Sequence, residues 1–213
     1  GFWRGVYMNQ NAIFLECFVD ELAAAAGQDP LRFRRAMLDQ DPRRRAVVDA
    51  VAARVGWDHA PPAGIFRGIA QFKAYGSYVA AVAEISVAAD GKRVTIHRLV
   101  AATDPGHVAN PAQVERQVSG SFVYGLSALF LQACTVDRGR VVETNFDTYD
   151  AMRIAQMPKV ETILMPAGGS ARWGGVGEPT IAVAAPAVLN AYFAATGQRI
   201  RQFPLSKHGI RLA

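Results

Sequence analysis

The sequence predicts an α+β fold, with an N-terminal helical segment followed by a mixed β-sheet carrying packed helices. Three observations carry that reading. Apolar residues recur at helical steps through residues 10–56, the period changes to two over residues 77–103, and a second helical pattern follows at residues 110–133.

The first helix follows Ile13, Phe14, Phe18, Leu22 and Ala25 and ends at Gly27. Asp29-Pro30 and Asp41-Pro42 then each pair an N-cap residue with a proline at the first helical position, opening helices to about residues 39 and 55. Residues 57–74, WDHAPPAGIFRGIAQFKA, read as a connector, too short and too apolar for a flexible linker. The expected division is a helical segment with its connector over 1–73 and an α+β domain over 74–213.

Within the second part, Val79, Ala81, Ala83, Ile85 and Val87 alternate along one strand, and Val94, Ile96, Arg98 and Val100 along the next. Asp90-Gly91 lies between them and predicts a hairpin. Val114, Val118, Phe122, Leu126 and Phe130 share a helix face, and the same helix holds Gly120 and Gly125. An interior glycine costs about 1 kcal/mol relative to alanine, so these two predict close approach of a backbone or ligand. A strand pair around 133–143 turning at DRGR, a strand at KVETILMP and a helix over about 181–195 ending at Gly197 complete the elements.

The 213 residues are 51% hydrophobic, enough for a real core, and exclude a disordered or fibrous chain. No apolar run reaches the roughly 18 residues of a membrane span, and the first residues lack the pattern of a secretory signal, so this piece is expected to be soluble. The net charge of +5 comes largely from arginines 32, 34, 35, 43, 44 and 45. They flank Asp39 and Asp41 without interleaved aromatics, which favours a solvated or subunit-facing helical surface over a nucleic-acid site. Cys17 and Cys134 lie in apolar runs with no metal-ligand spacing and are expected to be buried thiols. His59, His97, His107 and His208 show no HxH or HxxxH pairing, so a metal held by protein ligands is not expected.

The chemistry concentrates in residues 172–181, RWGGVGEPTI. Glu178 stands between Gly177 and Pro179, just ahead of an apolar helix. It reads either as a first-turn acid at the positive end of that helix or as a placed functional carboxylate.

Four stretches, GFWRGVYMNQNAIFLECFVDELAAAAGQDPLRFRRAML, ATDPGHVANPAQVERQVSGSFVYGLS, NFDTYDAMRIAQMPKVE and GGVGEP with APAVLNAYFAATGQRIRQFPL, occur in this order. Together they resemble the C-terminal part of the molybdenum-binding subunit of the xanthine dehydrogenase and aldehyde oxidase family, most nearly its isoquinoline 1-oxidoreductase β branch. The resemblance implies that Glu178 lies beside the molybdenum as general base, that the backbone of Gly175, Val176 and Gly177 passes close to the metal, and that Gln117 contacts the pterin or its phosphates. It implies a molybdenum–molybdopterin cofactor, in the cytosine dinucleotide form. The implied reaction hydroxylates an N-heteroaromatic ring carbon or oxidises an aldehyde with water-derived oxygen.

The resemblance also implies 2Fe–2S clusters in a partner subunit, since this chain carries no cysteine set for them. The family's earlier Gly-rich cofactor segment is absent from this sequence. The chain is therefore expected to be a fragment of the subunit, or one member of a split subunit, that neither holds the cofactor tightly nor turns over substrate by itself. Expected partners are the remainder of the molybdenum-binding subunit and the iron–sulfur subunit, in either the cytoplasm or the periplasm. The alternative is a cofactor-free scaffold or protein-interaction module. After GEP the sequence runs TIAVAAPA, where the branch usually carries prolines.

Overall fold

The computed structural model describes residues 3–166 and 173–213; Arg172 of the glycine-rich stretch lies outside them. Both Asp-Pro pairs start helices as the sequence predicts. Asp29 accepts the Arg32 N–H at 2.8 Å and Asp41 the Arg44 N–H at 3.2 Å, opening α2 (Pro30–Met37) and α3 (Pro42–Val55).

The preceding helix, α1 (Met8–Ala25), turns its aromatic stripe outward. Phe14, Phe18 and Leu22 are 65%, 57% and 40% exposed, while Met8, Ala12, Glu16, Val19, Asp20 and Ala23 are buried. The inward face is anchored by charge. Glu16 accepts from Arg34 Nε at 2.8 Å, from the Gln71 N–H at 3.0 Å and from Gln71 Nε2 at 2.7 Å, and Asp20 accepts from Arg199 at 2.7 Å. Charges removed from water persist only when paired and hydrogen-bonded, and these bonds tie α1 to α2, to the sheet and to the C-terminal segment.

The arginine run is thus not a free solvated face. Arg34 is 1% exposed, Arg43 forks onto Asp104, Arg44 donates to Gln71, and Arg35 and Arg45 pair with Asp49 and Asp39.

The sheet is mixed. β1 (Phe66–Ala74), β2 (Ser77–Val87) and β3 (Arg93–Asp104) are antiparallel neighbours, and β6 (Lys159–Leu164) adds to β3 in parallel. β7 (Arg211–Leu212) also pairs with β3 in parallel, and β4 (Val136–Asp137) with β5 (Arg140–Val141) forms a separate ribbon. The stretch expected to be a connector therefore supplies a strand from Phe66 onward. Its period is hidden because the sheet is covered on both faces. On one side α3 joins Ile69, Ala80, Val82, Val100 and Ala102 in an apolar cluster. On the other, α4 (Pro111–Phe130) and α5 (Ile181–Thr196) join Ala70, Val79, Ala81, Ala83, Ile85 and Leu99.

Close approach explains two glycines. A Cβ on Gly68 would fall 2.1 Å from the Ala191 nitrogen of α5, and one on Gly125 of α4 would fall 2.7 Å from the Ala184 Cβ of α5. The TIAVAAPA run is the start of α5 itself, with Pro186 inside the helix. Asp90-Gly91 lies in the longer loop 88–92, and the two-residue hairpin turn is Tyr75-Gly76. Cys17 is half-buried, and burial pushes its thiol up to about 12. Cys134 is exposed rather than buried, because α4 ends at Phe130 and leaves it in the following loop. No described helix is long and apolar enough to cross a membrane.

Candidate active site

Glu178 lies in the turn that leads into α5. The helix begins only at Ile181, whose N–H donates to the Glu178 carbonyl at 3.1 Å, and the N-cap Thr180 makes no side-chain cap. Glu178 and Pro179 precede the helix, so the carboxylate stands just ahead of its N-terminus rather than within its first turn.

Distant segments fix this turn. The Gly5 N–H donates to Glu178 Oε1 at 3.0 Å. Arg4 donates from Nε to the Gly177 carbonyl at 2.9 Å and from Nη2 to the same oxygen, and Nη2 also reaches the Gln117 carbonyl at 3.1 Å and its Oε1 at 3.0 Å. The Arg4 guanidinium lies 5.3 Å from the Tyr124 ring centroid. Burial draws its pKa down, opposed by Tyr124 and Glu178. Behind the turn, the buried hydroxyls of Ser121 on α4 and Thr180 share a hydrogen bond of 2.6 Å.

Gly5 has a local reason to be glycine. Its φ is 88°, and a Cβ would stand 2.6 Å from Asn9 Oδ1 and 2.7 Å from Ile181 Cγ2. Only a bare backbone can enter there and present its N–H to the carboxylate.

The stretch ahead of Glu178 is held by the β1–β2 turn. The Gly174 N–H donates to the Pro105 carbonyl at 2.7 Å, the Gly175 N–H to the Tyr75 carbonyl at 2.9 Å, and Ser77 Oγ to the Gly175 carbonyl at 2.5 Å. A Cβ on Gly174 would lie 2.2 Å from Ser77 Oγ and one on Gly175 would lie 3.3 Å from Tyr75 Cβ, so both positions are small for internal reasons. Val176 packs, partly buried, against the larger apolar cluster.

Gly177 is different. Among the described residues its Cβ would meet only Gln117 Oε1, at 3.7 Å, so the chain's own packing does not demand a glycine there. Gln117 is exposed, and its Nε2 makes no hydrogen bond among the described residues. Nor does Glu178 Oε2. Among the described residues, an open glycine edge, an amide with an unengaged donor and a carboxylate with an unengaged oxygen therefore lie together at the α5 turn. This set fits a planar polar group rich in nitrogen and oxygen that needs close backbone approach. It also leaves the carboxylate able to accept a proton.

Of the sequence-derived candidates, Glu178, Gln117 and Gly177 are brought together, with Gly175 and Val176 on the segment leading in. Arg4, Gly5, Ser77, Ser121 and Thr180 were not among them. The signals available for these were a lone glycine just ahead of a helix and a Tyr-Gly turn ahead of a strand, neither of which names its partner.

Comparison with known proteins places the chain. The family described as "Molybdopterin cofactor-binding domain" matches residues 19–158. The chain is 30% identical over 207 residues to the β subunit of isoquinoline 1-oxidoreductase from Brevundimonas diminuta, covering 96% of this chain and 26% of that protein. It is 29% identical to a nicotinate dehydrogenase subunit of Pseudomonas putida, covering 99% of this chain and 19% of the other. Among solved structures, an aldehyde oxidoreductase from Desulfovibrio gigas superposes with a TM-score of 0.68 over 95% of this chain and 40% of its own, at 14% identity, a likeness of fold. The chain thus spans about a quarter or less of these two curated relatives' lengths.

Proposed function

Because the chain belongs to the molybdopterin cofactor-binding domain family, we propose that it is part of a molybdenum hydroxylase in which Glu178 is the general base. The observation that carries this reading is the Gly5 N–H held 3.0 Å from Glu178 Oε1, in the turn beside Gln117. One carboxylate oxygen is fixed by a backbone donor and the other has no partner among the described residues, an arrangement that suits a positioned base.

A bound molybdenum–pterin group would supply the redox chemistry and the site at which water-derived oxygen enters. The chain's own residues hold and orient. Gln117 Nε2 would donate to that group while its Oε1 is kept in place by Arg4, and Gly177 would let it approach the backbone. Glu178 removes the proton from the oxygen nucleophile. The cytosine dinucleotide form of the cofactor and a partner subunit carrying 2Fe–2S clusters are part of this proposal. So is an N-heteroaromatic or aldehyde substrate, the heteroaromatic class being supported by relatives named for isoquinoline and nicotinate.

The partner surface follows from α1. Phe14 and Phe18, with Ile13, Ile200 and Phe203, line a groove of about 460 Å³. We assign its occupant as the remainder of a larger molybdenum-binding subunit, since the matched relatives are several times longer than this chain.

The decisive experiment substitutes Glu178→Gln in the complete enzyme at matched molybdenum content. Glutamine fills the same volume but accepts no proton near neutral pH, so kcat/KM is expected to fall by about 10²- to 10⁴-fold. Glu161→Gln is the control. Glu161 sits in β6 among Lys159, Arg98 and Arg54, away from this turn, and its loss is expected to cost little activity. Near-normal turnover of Glu178→Gln would defeat the assignment.

A further inference from the structure

The two edges of the main sheet are finished differently. β1 turns backbone groups of Ile69 and Gln71 outward, and buried side chains meet them. Glu16 Oε2 of α1 accepts the Gln71 N–H at 3.0 Å, and Asn190 Nδ2 of α5 donates to the Ile69 carbonyl at 3.1 Å. Unpaired backbone groups on an edge strand are a template for another strand, and here α1 and α5 close that template.

β6, at the opposite edge, has no such closure. In a parallel ladder alternate residues bond to the neighbouring strand, and the Met165 N–H donating to the Thr103 carbonyl at 3.0 Å fixes which ones do so. Glu161, Ile163 and Met165 face β3. The N–H and C=O groups of Val160, Thr162 and Leu164 therefore point away from the sheet, and none of them has a hydrogen-bond partner among the described residues. The side chains from Val160 to Leu164 are half-buried, and three of them are β-branched, as in an interior strand. The residues that guard a free edge, proline and lysine, are absent from Val160 to Leu164, and the Glu161 charge is taken up by Arg54, Arg98 and Lys159.

A cleft of about 610 Å³ runs beside this open edge. Ala112, Glu115, Arg116 and Ser119 of α4 form one wall and Arg54 of α3 another. Its walls are largely polar, so it suits polar side chains of a strand whose main hold is through the backbone. Pro158 and Pro166 bracket β6, so the strand it can accept is short.

We infer that β6 is completed by strand addition: an extended segment from the remainder of the molybdenum-binding subunit pairs with the backbone of Val160, Thr162 and Leu164. The inference rests on the reading of this chain as part of a larger subunit. The chain spans 26% of the length of the isoquinoline 1-oxidoreductase β subunit, so most of such a subunit lies outside it and can supply the segment. Because α1 closes the other edge of the sheet, this contact is separate from the α1 groove.

Amide hydrogen exchange, resolved by residue, tests the contact without any substitution. In the isolated chain at low concentration, the Val160, Thr162 and Leu164 amides should exchange freely while those of Glu161 and Ile163 stay protected. In the complete enzyme the outward amides should be slowed by at least about 10²-fold relative to the isolated chain. Thr162→Pro adds a second reading. Proline is accepted where an edge N–H faces away from the sheet, so the thermal midpoint of the isolated variant should move by less than about 4 °C. In the complete enzyme the same change should cut the protection of Val160 and Leu164 by about tenfold. The comparison of the unsubstituted proteins decides whether or not the variant folds.

The inference is overturned if the outward amides exchange freely in the complete enzyme, or if they are already slow in the dilute isolated chain. Protection that rises with the concentration of the isolated chain to the level of the complete enzyme would identify a second copy as the occupant and overturn it too. So would unchanged protection in the complete Thr162→Pro enzyme. Normal turnover of Glu178→Gln would instead sink the base assignment, and the exchange pattern reads the β6 edge independently of it.

Discussion

Arg4 donates from Nε to the carbonyl of Gly177 at 2.9 Å, joining the residue ahead of α1 to the residue ahead of Glu178 across almost the whole sequence. The same guanidinium reaches Gln117 through Nη2, so one planar fork sets the spacing between the amide and the carboxylate turn. The neighbouring Gly5 N–H then fixes the carboxylate itself.

Arg4→Lys tests that spacing. Lysine keeps the charge, but a single ammonium cannot span Gly177 and both Gln117 oxygens with a fixed plane. Stability of the folded chain should fall by roughly 1–2 kcal/mol. Turnover of the complete enzyme should fall by about tenfold or more, as misplaced groups lose the gain from orientation. Urea unfolding and steady-state kinetics read the two effects. Unchanged kinetics in Arg4→Lys would show that the fork has no part in holding the site.

The outward aromatic stripe of α1 gives a second test. Phe14→Gln with Phe18→Gln removes apolar surface that nothing in the described residues covers. The unsubstituted chain alone should self-associate in sedimentation velocity, and the double variant should run as a monomer. In the complete enzyme the same pair should weaken assembly of the subunit. An unsubstituted chain that stays monomeric at high concentration would count against a docking face.

What the sequence made legible follows from which forces are local. The Asp-Pro caps, the α4 stripe from Val114 to Phe130 and the Gly197 end of α5 are decided within a few residues, and the structure keeps them. β1 was not legible. Its neighbours cover both faces and erase the period of two, while the prolines and glycines just before it resemble a connector. The orientation of α1 was hidden for a related reason: Glu16 and Asp20 look like solvent-facing acids until Arg34, Gln71 and Arg199 arrive from elsewhere. At the site, Glu178 stood out because the glycines around it are adjacent in sequence. Arg4 and Gly5 did not, because their partners at 117, 177 and 178 are set only by the fold.

Asp104 carries the last prediction, on acid stability. Burial pushes its carboxyl pKa up, but the Arg43 fork at 2.8 and 2.7 Å, the Gly106 N–H at 2.9 Å and the Arg43 charge outweigh it, so the folded value lies below the ordinary one. A depressed carboxyl contributes stability that is present above its unfolded pKa, about 3.9, and is lost as pH falls through the folded value. The loss reaches the site, because the adjacent Pro105 carbonyl receives the Gly174 N–H at 2.7 Å. Asp104→Asn should therefore be less stable at pH 7 by roughly 1–3 kcal/mol, since a charged hydrogen-bond partner is lost. It should also show a flatter decline than the unsubstituted chain as pH falls below about 4, because the group that titrates is gone. Urea unfolding from pH 7 down to the acid limit measures both, with amide exchange at Gly174 reporting on the loop. Two stability curves that run parallel through the acid range would mean that Asp104 is not held below its ordinary value by Arg43 and Gly106.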